Sequence, residues 1–210
     1  SSASENGFND FLTEADNAKE YAKKCIQNLE GRTLKSVGSE CRAKILCAAG
    51  RHGITSGKWL LFPTIPEDID EKWKIIARET YAGTLGTRSK ILTMGQTHDA
   101  RPQAQVICVY TRDFRNIPDV ARVCKRLVEL GCGSYTRDGG KSACAISYKP
   151  CALTYADLNS GNEYRVNPVI YRRDDNFEAL LNTGGIVERD FKEAAKLKKS
   201  AASARKRKSD

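Results

Sequence analysis

The sequence predicts an α+β fold, in which one antiparallel or mixed sheet carries helices on one face. The order of the predicted elements supports this class: helix, strand, helix, strand, strand, helix, strand, strand, and then a helical tail. No internal repeat is visible along the chain. A length of 210 residues is sufficient for one domain with a substantial hydrophobic core.

Three segments place apolar residues at helical spacing. They cover residues 8–29, 66–83 and 117–131, and a glycine stands at or just beyond the end of each, at positions 31, 83 and 131. Pro66 and several acidic residues also mark the start of the second helix. Residues 31–55 are compatible with a short helix or a strand, and the pattern does not decide between them.

Five segments are predicted as strands from their alternating or continuous apolar residues. They cover residues 57–63, 88–94, 103–113, 142–148 and 167–172. The third segment is expected to be a central strand. The helices are expected to pack on one face of the sheet that these strands form.

The tripeptide Gly140-Lys141-Ser142 also ends the phosphate-binding loop of many nucleotide-binding proteins. The full motif needs a glycine five residues before Gly140, where this sequence has Tyr135. It also needs a helix after the lysine, whereas a strand pattern follows here. We therefore interpret the tripeptide as part of a turn and do not predict an NTPase.

The net charge of +9 is concentrated at the C-terminus, where the last 20 residues contribute +6. We predict a helical extension over residues 1–54 that packs on a domain over 55–190, followed by a basic tail over 191–210. The tail resembles a loosely bipartite nuclear localisation signal or a nonspecific nucleic-acid contact. Its defining residues are Lys198, Lys199, Arg205, Lys206, Arg207 and Lys208. The expected location is cytoplasmic, nuclear or both.

The eight cysteines and two histidines do not form a metal-binding pattern. No Cys-x-x-Cys pair occurs, and neither His52 nor His98 lies near a cysteine cluster, so we predict no metal site and no cofactor. Reduced thiols in an intracellular protein explain the cysteines better than disulfides do. No apolar run approaches the roughly 20 residues that span a bilayer, so no membrane partner is expected.

Three segments are similar to a known family. They are "SGKWLLFPTIPEDIDEKWKIIARETYAGTLG" (56–86), "ICVYTRDFRNIPDVARVCKRLVELG" (107–131) and "ISYKPCALTYADLNSGNEYRVNPVIYR" (146–172). Together they resemble the basophilic leukemia expressed protein family, a group of conserved proteins of uncharacterised function. The resemblance implies a fold like that of translation initiation factor 4E, a curved antiparallel sheet backed by helices.

The initiation factor holds a methylated guanine between two tryptophans on loops, and this arrangement is not expected here. The chain has only Trp59, within a predicted strand, and Trp73, on the apolar face of a predicted helix. Cap binding between two tryptophans is therefore not predicted for this chain. The shared fold alone does not determine the function.

Basic residues near the predicted strand ends alternate with tyrosines, a combination that single-stranded nucleic acid favours. We predict noncatalytic binding of RNA or a phosphorylated nucleotide on the concave face of the sheet. The predicted site consists of Arg112, Lys149, Arg165 and Arg172 as phosphate ligands and of Tyr148 or Tyr155 as the base-stacking residue. The alternative is that these cations form only a solvated rim.

A second hypothesis is a protein-interaction module that docks partners through the helix carrying Trp73. The competing interpretation is that Trp73 packs in the core with Ile69 and Ile76, along one apolar stripe. Catalysis has weak support, because no nucleophile and base stand in a recognisable register. Cys132 lies between two glycines after a helix, and we interpret it as part of a turn.

Overall fold

The computed structural model describes residues 2–63, 67–92, 106–132 and 145–172. In chain order the elements are α1 (Ser2–Gln27), α2 (Leu34–Arg51), β1 (Gly57–Phe62), α3 (Glu67–Tyr81), β2 (Arg88–Ile91), β3 (Ile107–Thr111), α4 (Ile117–Glu129), β4 (Ala145–Pro150), α5 (Cys151–Tyr155) and β5 (Tyr171–Arg172). They form two compact units. The helical unit contains residues 2–55 and 150–168, and the sheet unit contains the other described residues.

In the helical unit, α1 and α2 pack through small and apolar side chains. Phe11, Ala15, Ala18 and Ala22 of α1 recur every three or four residues and are buried, which produces one continuous contact stripe. The start of α2 is fixed by a capping box in which Thr33 and the residue three positions later satisfy each other's backbone amides.

In the sheet unit, the strand order is β2-β3-β1-β4-β5. The pairs β1–β3, β2–β3 and β4–β5 are antiparallel. Helices α3 and α4 lie side by side, since Arg126 of α4 forms an ion pair of 2.8 Å with Glu79 of α3. Trp59 of β1 donates a hydrogen bond of 3.0 Å from Nε1 to the Val120 carbonyl of α4, so these helices cover one face of the sheet.

The structure confirms the α+β class, and the three predicted helices and five predicted strands are present at or close to their predicted positions. The undecided segment 31–55 contains α2, and the five-residue α5 was not predicted. β3 was expected to be central, and it is an interior strand that pairs with β1 on one side and with β2 on the other, while β1 holds the middle position of the sheet. Residues 150–168, which the prediction placed in the 55–190 domain, group with α1 and α2.

Several predictions concern segments outside the described residues. They include the turn at 140–142, His98 and the basic tail at 191–210. Within the described ranges, no helix is both long enough and apolar enough to cross a membrane. The seven cysteines in those ranges are all free thiols.

Candidate ligand-binding face of the sheet

Alternation along the strands divides the side chains between two faces of the sheet. On the packed face, Trp59 of β1 stands opposite Val109 of β3, and both are fully buried. Tyr148 of β4 reaches the same face, because its ring lies 5.1 Å from that of Trp59 and its hydroxyl lies 2.5 Å from the Thr111 hydroxyl. Tyr148 pairs with Tyr171 of β5, whose ring is 5.8 Å away.

The opposite face carries all the cationic residues of the five described strands, and we call it the basic face. Its cations are Lys58 of β1, Arg88 and Lys90 of β2, Lys149 of β4 and Arg172 of β5. No Asp or Glu occurs in the residues that form these described strands. The described strands therefore supply no carboxylate to pair with these cations.

The strand register fixes which cations share this face. Lys58 and Arg88 both stand opposite Tyr110, one from each side of β3. Arg172 pairs with Ser147, next to the packed-face residues Tyr171 and Tyr148, so alternation directs it away from the packed face. Lys149 follows Tyr148 and points to the same side as Arg172 for the same reason.

Tyr110 lies between two of these cations. The Arg88 guanidinium is 4.3 Å from the centre of its ring, and the Lys58 ammonium is 5.8 Å away. Both distances fall within the range of a cation–π interaction. The two cations help to cover the ring, and Tyr110 is only 7% exposed.

Along β1, β2 and β3, the basic face becomes apolar toward one end. In the next row, Cys108 lies between Lys90 and Leu60. Beyond it, the Leu92 amide donates a hydrogen bond of 2.9 Å to the Val106 carbonyl, and Phe62 continues the alternation of β1 on the other side. Leu92 and Phe62 are 40% and 36% exposed. We call Leu92, Val106 and Phe62 the apolar row.

The sequence can be placed in a family. Residues 5–157, well over half of the chain, match the family model of the basophilic leukemia-expressed protein Bles03. The chain belongs to this family. The match confirms the resemblance noted in the three sequence segments, although the third segment continues beyond it. For this Bles03 family member, four of the five cations of the basic face lie inside the matched span, and Arg172 lies beyond it.

The structure brings only some of the sequence-predicted site residues together. Lys149 and Arg172 share the basic face, and Arg112 is an exposed residue directly after the end of β3. Tyr148 was expected to stack a base, but this assignment is wrong for the folded chain. Tyr148 is 0% exposed, because its ring fills the packed face and its hydroxyl is bonded to Thr111.

Arg165 and Tyr155 belong to the helical unit and are not part of the basic face. The Tyr155 ring contacts Phe8 of α1 at 5.5 Å, in an edge-to-face arrangement. Arg165 is an exposed loop residue with φ of 58°. Its carbonyl lies against Gly38 of α2, where a Cβ atom would overlap it. Arg165 therefore serves a backbone contact within the helical unit.

The site predicted from the sequence did not include four residues of the basic face: Lys58, Arg88, Lys90 and Tyr110. The sequence did not show that the side chains of these residues lie on the same face of the sheet. Lys58 and Tyr110 are each next to a buried apolar residue, Trp59 and Val109, and this pattern identifies one face only when the pairing of β1 with β3 is known. Arg88 lies at the start of a short strand, where alternation is too brief to be decisive.

Burial restricts how far Trp73 and Cys132 are accessible to a ligand or partner. Trp73 is half-buried on α3, between Ile69 and Ile76, which are 5% and 0% exposed. Cys132 is fully buried after α4, and its amide donates to the Leu127 carbonyl at 2.9 Å. Burial raises the pKa of the Cys132 thiol, which disfavours the nucleophilic thiolate.

The helical unit contains a cavity of about 380 Å³ whose charged groups are engaged with each other. Arg51 forms an ion pair with Glu14, and His52 contacts the other oxygen of the same carboxylate at 2.9 Å. The hydrogen bond from His52, supported by Arg51, lowers the pKa of Glu14. Lys44 lies 3.4 Å from the centre of the Tyr21 ring.

Proposed function

We propose that the chain is a noncatalytic binding protein for single-stranded RNA or a phosphate-bearing nucleotide, and that the basic face is its binding surface. The observation that supports this proposal is the concentration of all five strand cations on one face, without an acidic residue in the described strands. Phosphate groups are the ligands that such an arrangement attracts most strongly.

The extent of the basic face favours a chain of nucleotides over a single phosphate. Its cations come from β2, β1, β4 and β5, and these span the whole width of the sheet. Neighbouring strands are about 4.8 Å apart, so the cations are distributed over about 19 Å. Several phosphates of an extended strand can be contacted over this distance.

The proposal includes a fold like that of initiation factor 4E, with α3 and α4 behind the sheet and the ligand on the other face. It does not use a pair of tryptophans. Trp59 is fully buried against Tyr148 and α4, and Trp73 lies on α3. We therefore propose binding through phosphate contacts from Lys149 and Arg172, extended by Arg112, rather than specific recognition of a methylated cap.

The basic tail is expected to add nonspecific affinity and to act in the cytoplasm, the nucleus or both. Nonspecific phosphate contacts are strongly salt-dependent, as are those of the sheet. The two contributions must therefore be separated by mutation. Replacing Arg205, Lys206, Arg207 and Lys208 by serine in the full chain removes the densest tail charge without shortening the protein.

The test is fluorescence polarisation of short labelled RNAs, capped and uncapped, over a range of salt concentrations. The double variant Lys149→Glu/Arg172→Glu is expected to weaken binding by roughly tenfold or more at low salt. It should also reduce the salt slope by about 1.4, because each lost phosphate contact on a single strand contributes about 0.7. The tail variant should retain the binding that depends on the basic face.

The matched control is Lys74→Glu/Lys125→Glu, which makes the same charge change at two exposed lysines of α3 and α4. This variant should bind RNA much more strongly than the sheet variant. Equal losses in the two variants would show that only net charge matters. Complete loss of binding in the tail variant would contradict a site on the sheet.

A protein-interaction surface around Trp73 is the second candidate, and one observation favours it. Trp73 remains partly exposed although the neighbouring positions on its stripe, Ile69 and Ile76, are buried. Partly exposed aromatic side chains are frequent anchors in protein interfaces. Binding to a protein partner that is lost in Trp73→Ala and insensitive to salt would favour this function over RNA binding.

A further inference from the structure

The basic face contains two chemically different rows at a defined separation. One row consists of Arg88, Tyr110 and Lys58, which are direct cross-strand neighbours. The apolar row lies four residues further along the same strands. A strand rises about 3.4 Å per residue, so the two rows are about 14 Å apart. The face therefore has a cationic end and an apolar end.

Strand alternation places the side chains of Phe62, Val106 and Leu92 on the same face, so this row is expected to form a shallow slot. Val106, directly before β3, forms its floor, between Phe62 at the end of β1 and Leu92 directly after β2. Two strand spacings of about 4.8 Å separate these walls, which gives about 10 Å between their backbones. A flat aromatic ring that enters the slot can contact the Phe62 ring on one side and Leu92 on the other.

Phe62 is better suited to stacking than Tyr110, which is also aromatic and on the same face. The Tyr110 ring is 7% exposed because Arg88 and Lys58 flank it, whereas Phe62 is 36% exposed. A base that stacked on Tyr110 would have to displace a cation that is useful for phosphate binding. A base on Phe62 leaves those cations in place.

We propose that Phe62, with Leu92 as the facing wall, is the base-stacking platform of the basic face, while Arg88 and Lys58 bind phosphate. This inference rests on the proposed function and adds a defined orientation to it. One nucleotide of the ligand lies along β1, with its base in the apolar row and its backbone running toward the cationic row, and from there the strand continues across the sheet to the other cations. Because every base has a π-face, this contact is tolerant of sequence.

Charge complementarity selects this occupant over an apolar protein segment. The apolar row is small, with two exposed large side chains, and it shares its face with five cations and no strand carboxylate. A single-stranded nucleic acid supplies planar apolar groups and regularly spaced negative charges together. An apolar peptide would supply no negative charge to the cations of this face.

The experiment compares two probes on the full chain: a labelled single-stranded RNA of about ten nucleotides and an abasic ribose-phosphate chain of equal length. The wild type should bind the RNA about tenfold more tightly than the abasic chain. Phe62→Ala should remove most of this difference and leave the salt slope unchanged. Phe62→Trp should restore it, because an aromatic ring is again present.

Three controls separate stacking from other effects. Phe62→Leu keeps an apolar side chain without a ring and should behave like Phe62→Ala, which excludes loss of packing as the cause. Tyr81→Ala removes an aromatic residue of α3 that is 95% exposed and should leave both affinities unchanged. Lys58→Glu/Arg88→Glu should weaken both probes and lower both salt slopes.

The possible failures of the two proposals differ. If the RNA binds through the basic face but the abasic chain binds equally well, or if Phe62→Ala behaves like the wild type, the stacking role of Phe62 is wrong and the proposed function survives. If neither probe binds, or if the sheet and helix lysine variants lose affinity equally, the proposed function fails and the stacking role fails with it.

Discussion

The two faces of the sheet use the same strands and similar residue types for different purposes. On the packed face, Trp59, Tyr148 and Tyr171 are each at most 2% exposed, and the Tyr148 ring contacts both of the other rings. On the basic face, Tyr110 is flanked by Arg88 and Lys58 instead of aromatic rings. The role of an aromatic residue in this sheet depends on the face to which its side chain points and on its cross-strand neighbours, not on its residue type.

This difference has an energetic consequence. Packed-face side chains contribute dispersion and hydrophobic free energy and leave cavities when they are removed. Substitutions of exposed side chains usually change stability by less than about 0.5 kcal/mol. Basic-face variants can therefore be tested for binding without unfolding the protein, whereas packed-face variants should change stability first.

The largest expected effect is that of Trp59→Ala on the packed face. The side chain is fully buried and its Nε1 donates to the Val120 carbonyl, so its removal leaves a cavity and eliminates one buried hydrogen bond. We expect the free energy of unfolding to fall by about 4 kcal/mol in chemical denaturation. Trp73→Ala, at a half-buried position, should cost clearly less. Equal losses would contradict the observed difference in burial.

Gly57→Ala should be the next most destabilising change. Gly57 stands opposite Thr111, and a Cβ atom at this position would overlap the Tyr148 hydroxyl and ring. Since Tyr148 is held in a packed core, we expect a loss of about 2 kcal/mol from overpacking. Gly7→Ala in α1 is the control, because no atom lies within 4 Å of its added Cβ. That change should stabilise the chain slightly.

Tyr148→Phe tests the polar contact inside the packed face. It removes one partner of the 2.5 Å hydrogen bond with Thr111 and leaves a buried hydroxyl unsatisfied. The expected cost is about 1 kcal/mol in thermal or chemical unfolding. Tyr148→Phe combined with Thr111→Val should cost less than the sum of the two single changes, because the partners are coupled. Additive losses would show that the contact is unimportant.

The smallest expected effect concerns the ion pair that joins α3 and α4 behind the sheet. Hydrogen bonds from Thr84 and Arg126 lower the pKa of Glu79. A carboxylate with a lowered pKa stabilises the fold above its unfolded pKa, and this contribution is lost as the pH falls through the folded value. NMR titration of Arg126→Ala should show the Glu79 pKa moving back up, while Lys125→Ala should leave it unchanged.

The sequence was most informative where one side of an element is buried and the other is not. The helices α3 and α4 have clear apolar stripes, and both were predicted. In contrast, α2 is buried on most of its surface and is rich in small residues, so it has no amphipathic period to detect. The helix α5 has five residues, too few for a helical period to be recognised.

The sequence by itself determined the family and the α+β class, and it indicated that basic residues and tyrosines occur together near the predicted strand ends. Only the tertiary structure decided which of the basic residues and tyrosines share a face of the sheet. It placed Lys149 and Arg172 with Lys58 and Arg88, and it enclosed Tyr148 in the core. The physical reason is that side chains alternate with a period of two, so a shift of one residue in pairing exchanges the faces. The assignment becomes definite only when the strands pair and helices cover one side of the sheet.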